Sequence, residues 1–172
     1  IIKDMSLREI HLKAIDALQE AFISYGSRSS VHLPDVVPVI IGNMGEAEME
    51  ETNVRVLDFL AAMCQCVNLH IRPFAPEILI KLKEIWALNV ASNNGSTGIV
   101  HSQTLQASML RVVKAIADSL QGENNPELSS VVPMLVGLLC VRRNSKFINL
   151  AVLNTLGSMS IYARDNVRSI VN

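Results

Sequence analysis

Aromatic residues make up only 4% of this 172-residue chain, one Trp, two Tyr and four Phe, so its core has to be built from Leu, Ile, Val, Ala and Met. That mixture favours helices packed on helices. Neither sign of charge dominates: 15 Lys and Arg face 16 Asp and Glu, which leaves no broad field for nucleic acid or an anionic membrane surface. Cysteine is scarce as well. Three residues, an odd number, do not make a disulfide framework and point to reduced thiols in the cytosol, with the nucleus as the second compartment. The longest apolar stretch free of charge, Val131 to Val141, is too short to span a bilayer and contains Pro133, so no membrane insertion is expected. No signal peptide pattern is present. The chain opens at Ile1 and stops at Asn172 inside an amphipathic pattern, as a piece cut from a longer protein would.

What the chain does have is repetition. "LKAIDALQEAF" (Leu12 to Phe22) superposes on "VRVLDFLAAMC" (Val54 to Cys64), "LRVVKAIADSL" (Leu110 to Leu120) and "LAVLNTLGSMS" (Leu150 to Ser160). Aliphatics recur at the first, fourth and seventh positions, as in Leu12, Ile15, Leu18 and in Leu150, Leu153, Leu156, which marks one face of a helix. A second series interleaves with it: "LPDVVPVIIGNM" (Leu33 to Met44), "IRPFAPEILIKL" (Ile71 to Leu82) and "LSSVVPMLVGLL" (Leu128 to Leu139). Proline suits the first turn of a helix, where amide hydrogens lack intrahelical partners, and breaks an interior. Pro38, Pro76 and Pro133 are therefore expected to mark helix starts. Within the second series, Phe74, Ile78, Leu82 and Trp86 lie four apart on one stripe, which makes core packing the expected role of the single tryptophan.

Equivalent sites are 42 (Ile15 to Leu57), 56 (Leu57 to Val113) and 40 (Val113 to Leu153) residues apart. A helix pair recurring at about 40 to 47 residues is the signature of HEAT or armadillo units. The expected fold is thus all-α, an α-α superhelix or solenoid of about three and a half helix pairs, over 5–44, 47–88, 102–140 and 144–172. The long middle interval is assigned to an extended loop over 89–101, rich in Asn, Ser and Gly. A last second helix is expected from about Asp165. Stacks of this kind bury aliphatics between neighbouring pairs, so cut ends are expected to expose apolar surface.

No catalytic constellation emerges. Cys64 and Cys66 are two apart and point to different sides of a helix, and Cys66 with His70 gives only half of a zinc ligand set. His11, His32, His70 and His101 have no acidic or nucleophilic partner at motif spacing, and "NNGSTG" lacks the lysine of a phosphate-binding loop. No metal, cofactor or catalytic residue is assigned, although Ser92, Ser96 and Thr97 are exposed to modification if the loop is mobile. The polar variation sits in the turns. Glu46, Glu48, Glu50 and Glu51 form an acidic run, and Arg142, Arg143 and Lys146 a basic group; these seven are the candidate protein-interaction residues, with a solvated helix start as the simpler role of the acids.

The stretch "HIRPFAPEILIKLKEIWALN" resembles a segment in the HEAT-repeat region of target-of-rapamycin serine/threonine kinases, through His70, Ile71, Arg72, Pro73, Phe74, Glu77, Ile78, Lys83, Glu84, Trp86 and Asn89. "LPDVVPVII" and "SLQGENNPELSSVVPML" extend the similarity to about residues 30 to 140. Two departures are a longer Val90 to Ser102 and Phe74 in place of a tyrosine. The resemblance implies a non-catalytic part of the amino-terminal solenoid of a growth and nutrient-signalling kinase, which supports homodimerisation and docking of a raptor-like subunit. The kinase domain itself would lie elsewhere, since neither Asp-Phe-Gly nor His-Arg-Asp occurs here. A karyopherin-type transport receptor or a phosphatase scaffold is the other HEAT reading, with Glu46 to Glu51 as the seat for basic signals.

Overall fold

A computed structural model describes residues 2–44, 50–93, 103–120, 125–140 and 145–162. Seven α-helices account for most of these: α1 (Ile2–Tyr25), α2 (Leu33–Asn43), α3 (Glu50–Val67), α4 (Ala75–Asn93), α5 (Gln103–Leu120), α6 (Pro126–Leu139) and α7 (Lys146–Tyr162). The protein is all-α, with no strand among the described residues.

Local chemistry explains the boundaries. α1 and α3 are each followed by a left-handed residue, Gly26 (φ 55°) and Asn68 (φ 51°), the conformation that most often stops a helix. The two positions are equivalent in the repeat. Short 3-10 turns, Gly26–His32 and Asn68–Ile71, then lead towards α2 and α4. At α6 the Asn125 side chain accepts hydrogen bonds from the backbone N–H of Glu127 (3.0 Å) and Leu128 (3.1 Å), with Pro126 as the first helical residue, a combination that satisfies two otherwise orphaned donors. Ser145 Oγ accepts from Ile148 N–H at 3.3 Å at the head of α7.

The prolines correct the expected starts. Pro76 is the second residue of α4, but Pro38 and Pro133 lie inside α2 and α6. The helices begin earlier, at Leu33 with Pro34 in the first turn and at Pro126 behind the Asn125 cap. Each inner proline removes one backbone donor. α4 also runs on through Asn93, so the first five residues of the expected 89–101 loop are helical; the rest of that loop, and the second helix expected from Asp165, lie outside the described residues.

The helices α1, α3, α5 and α7 pack in chain order, α1 on α3, α3 on α5 and α5 on α7. Their direction follows from paired contacts. Asp16 meets Arg55 and Phe22 meets Phe59; Asp58 meets Arg111 and the Cys64 carbonyl meets Ser119. Partner numbers rise together in both pairs of helices, so these helices run parallel. α4 packs on α6, and α6 on α7. One continuous core results. It contains the stripe read from the sequence: Ile78, Leu82 and Trp86 are buried and Phe74 is half-buried. The stretch Glu50–Ile71 is long and apolar enough to cross a membrane, which a search for charge-free runs misses because Arg55 and Asp58 interrupt it. Half of that apolar window is buried inside the protein, and both charges are paired with neighbouring helices.

Candidate interaction surfaces

The helices of the α1, α3, α5, α7 layer use two stripes each. An inner stripe, seated on the preceding helix, is marked by Arg55 and Phe59 in α3 and by Arg111 and Ser119 in α5; an outer stripe, which receives the following helix, is marked by Asp16 and Phe22 in α1 and by Asp58 and Cys64 in α3. Asp58 Oδ1 accepts from Arg111 Nη1 at 2.7 Å, and at the same register Asp16 Oδ1 accepts from Arg55 Nη1 at 3.4 Å. These groups are half exposed, so each pair contributes little stability and mainly fixes register. At α5 the series changes chemistry: Lys114, in the position of Asp58, pairs with Asp118 of its own helix, and Ala151 stands where the arginines were.

Of the seven residues singled out in the turns, Glu46, Glu48, Arg142 and Arg143 lie outside the described residues. Glu50 and Glu51 open α3 and are exposed, as is Lys146 at the start of α7. Two acids in a first turn suit the helix dipole. The fold does not bring these acids together with Lys146, because α5 lies between α3 and α7. Lys83 instead finds a partner that spacing does not reveal. Its ammonium donates to Glu127 and to Ser130 Oγ (2.9 Å), joining α4 to the first turn of α6.

The cysteines separate by environment. Cys64 is buried, Cys66 is half-buried and Cys140 is exposed. Burial pushes the Cys64 thiol up to about 12, against a smaller lowering by a backbone hydrogen bond, and burial also raises Cys66. A thiol held neutral in this way is a packing group. In the native protein at pH 8 a disulfide reagent is expected to titrate Cys140 first, Cys66 more slowly and Cys64 only after unfolding; prompt modification of Cys64 would contradict its burial. The sign for stability follows from linkage. The unfolded thiol ionises near its ordinary value of 9.0 while the folded one does not, so the contribution of Cys64 is full below pH 9 and declines between 9 and about 12.

His11, His32 and His70 are exposed, and the described residues hold no group of three or more His, Cys, Asp or Glu placed for a metal. The backbone of Ser92 belongs to α4, whereas Ser96, Thr97 and His101 are outside the described residues. An apolar crevice between Met44, Asn53, Leu57, Ile85 and Leu105 is about large enough for one water. Part of the apolar face read from the repeat is exposed on α7. Phe147, Leu150 and Leu153 stand 60%, 59% and 55% exposed on one side of that helix. The repeat assigns Leu150 and Leu153 to the common apolar face; their counterparts Leu110 and Val113 in α5 are buried, and in α3 Leu57 is buried and Val54 half-buried.

No family model matches the chain, and no solved structure matches it. Among curated proteins it is 26% identical, over 141 residues, to the serine/threonine-protein kinase mTor of Drosophila melanogaster. The matched stretch covers 81% of this chain and 5% of that protein, so the chain spans a small fraction of the length of its relative.

Proposed function

We propose that this chain is a non-catalytic, HEAT-type helical-repeat scaffold, a segment of the solenoid of a target-of-rapamycin type serine/threonine kinase that supports complex assembly in growth and nutrient signalling in the cytoplasm. The observation that carries this reading is the recurrence of one interhelical contact at one register, Asp16 with Arg55 and then Asp58 with Arg111, in a chain whose similarity to a kinase of that name extends over 141 residues. The described residues are helices joined by short turns, with no strand among them, and a kinase fold carries its catalytic lysine on a strand. In this reading the segment holds shape and presents surface, and its partners are a raptor-like subunit and a second copy of the kinase.

The test is the full-length transcript. Further helical repeats followed by a kinase domain carrying Asp-Phe-Gly are the expected result. A reading frame that ends a few hundred helical residues later without kinase motifs would reject the parent and return the chain to the transport or phosphatase scaffolds.

A further inference from the structure

The helices α2, α4 and α6 meet at two joints that are built differently. α4 packs on α6, whereas α2 makes no comparable approach to α4. At the second joint Lys83 of α4 holds Glu127 and Ser130 of α6. The register that sets Leu33 beside Ile71 and Leu128 gives the counterparts one joint earlier: Gly45 for Lys83, His70 for Glu127 and Pro73 for Ser130. Glycine has no side chain and proline no side-chain donor or acceptor, so this latch cannot form between α2 and α4. Burial follows the same division. Lys83 marks the side of α4 that faces α6, and Leu79, one turn earlier on that stripe, is fully buried; its counterpart on α2, Ile41, is only half-buried. Glu127 marks the side of α6 that faces α4, and Val131 and Leu138 on its stripe are buried; their counterparts on α4, Phe74 and Lys81, are half-buried. One turn beyond Lys81, Ile85 borders the apolar crevice with Met44 of α2 and Leu57 of α3. Pro38 and Pro133 are counterparts, so the missing backbone donor weakens α2 and α6 alike and does not separate the joints. Among α1, α3 and α5 the first contact is again the looser, with Asp16 and Arg55 at 3.4 Å against 2.7 Å for Asp58 and Arg111.

We propose that the joint between α2 and α4 is a built-in opening point of this stack: α2 leaves α4 while α4 and α6 stay latched. In a stack of repeats stability is close to a sum of nearest-neighbour interfaces, so the weakest interface opens first and opens alone. α2 has 11 residues, fewer than the about 12–15 that an isolated helix needs in water, and therefore unfolds on leaving. The contact of Phe22 with Phe59 does not involve α2, so α1 stays seated on α3 as the fixed side of the opening. Both joints lie between helices of the described layers, so the difference between them does not depend on which helix comes first or last. It also stands apart from the kinase reading; either can fail alone.

Hydrogen exchange read by mass spectrometry on the full natural chain tests this. Peptides of α2 are expected to exchange at least about tenfold faster than those of α6, the ratio set by one hydrogen bond to a charged group, while peptides of α4 exchange as slowly as those of α6. Lys83→Met removes the latch and is expected to bring α6 to the rate of α2. Gly45→Lys with His70→Glu transfers the latch to the first joint and is expected to slow α2 by about tenfold. Equal protection of α2 and α6 in the native chain overturns the proposal. So does a Lys83→Met chain in which α6 keeps its protection, or a transferred latch that leaves α2 as fast as before, which assigns its rate to helix length.

Discussion

Phe59→Ala is expected to destabilise the protein by about 3–5 kcal/mol, the range for deleting a buried phenylalanine. Phe59 is 2% exposed and sits at the centre of the inner stripe of α3. Its ring meets that of Phe22 edge to face, with centroids 5.6 Å apart and planes at 79°, a geometry that adds about 0.5–1.5 kcal/mol to area burial. Phe22 is itself the buried aromatic of α1, and α1 is otherwise half-buried or exposed along most of its length. Losing Phe59 therefore removes the main anchor of α1 as well as part of the core. For a chain of this size the loss corresponds to a fall in Tm of about 6–20 °C, measurable by thermal circular dichroism. The control is Leu153→Ala, one turn from the end of the repeat face, where the side chain is 55% exposed and the expected change is within about 0.5 kcal/mol. Equal effects from the two substitutions would show that the burial described for α3 is wrong.

The same two residues mark how far the sequence could be read. The period of the apolar positions identifies the helices and aligns Leu57, Val113 and Leu153 correctly, because side-chain direction along a helix is fixed by geometry. Burial is a different property. It depends on whether another helix arrives, and no pattern within Leu150 to Ser160 records the arrival. Hence the counterparts of Leu153 are buried in α3 and α5 while Leu153 itself is exposed. The prolines show a second limit. Pro38 and Pro133 precede apolar runs and so resemble helix starts, yet the real starts are set by Pro34 and by Asn125 with Pro126, whose polar signals are weaker to the eye than the run that follows. Pro38 and Pro133 are themselves exposed, and burial of the neighbouring Val37, Ile40, Val131 and Leu135 carries both helices past the missing donor. The stripe from Phe74 to Trp86 was legible because its four-residue spacing is uninterrupted. Partnerships between charges were not. Asp58 with Arg111 and Lys83 with Glu127 join residues from different repeats, and only folding brings them within reach.

Ser108→Ala should stabilise the protein by about 1–3 kcal/mol, against the usual sign of a core substitution. Ser108 lies on the inner stripe of α5, fully buried, at the position taken by Ile148 in α7. Its hydroxyl has no hydrogen-bonding partner, so folding strips it of water with nothing in exchange. Alanine removes that unsatisfied group, leaves the helix a better former, and deletes only one oxygen from the packing. Ser119, eleven residues on and also buried, is the internal comparison. Its Oγ lies 2.7 Å from the Ala115 carbonyl and 3.0 Å from that of Cys64 on α3, so the hydroxyl donates both within its helix and across to the neighbouring one. Ser119→Ala is accordingly expected to cost about 1 kcal/mol. Urea unfolding of the two variants beside the native chain measures both, with the midpoint rising for Ser108→Ala and falling for Ser119→Ala at unchanged slope. A lowered midpoint for Ser108→Ala would mean that its hydroxyl is bonded in solution, and the α3–α5 contact would then be polar where the structure makes it dry.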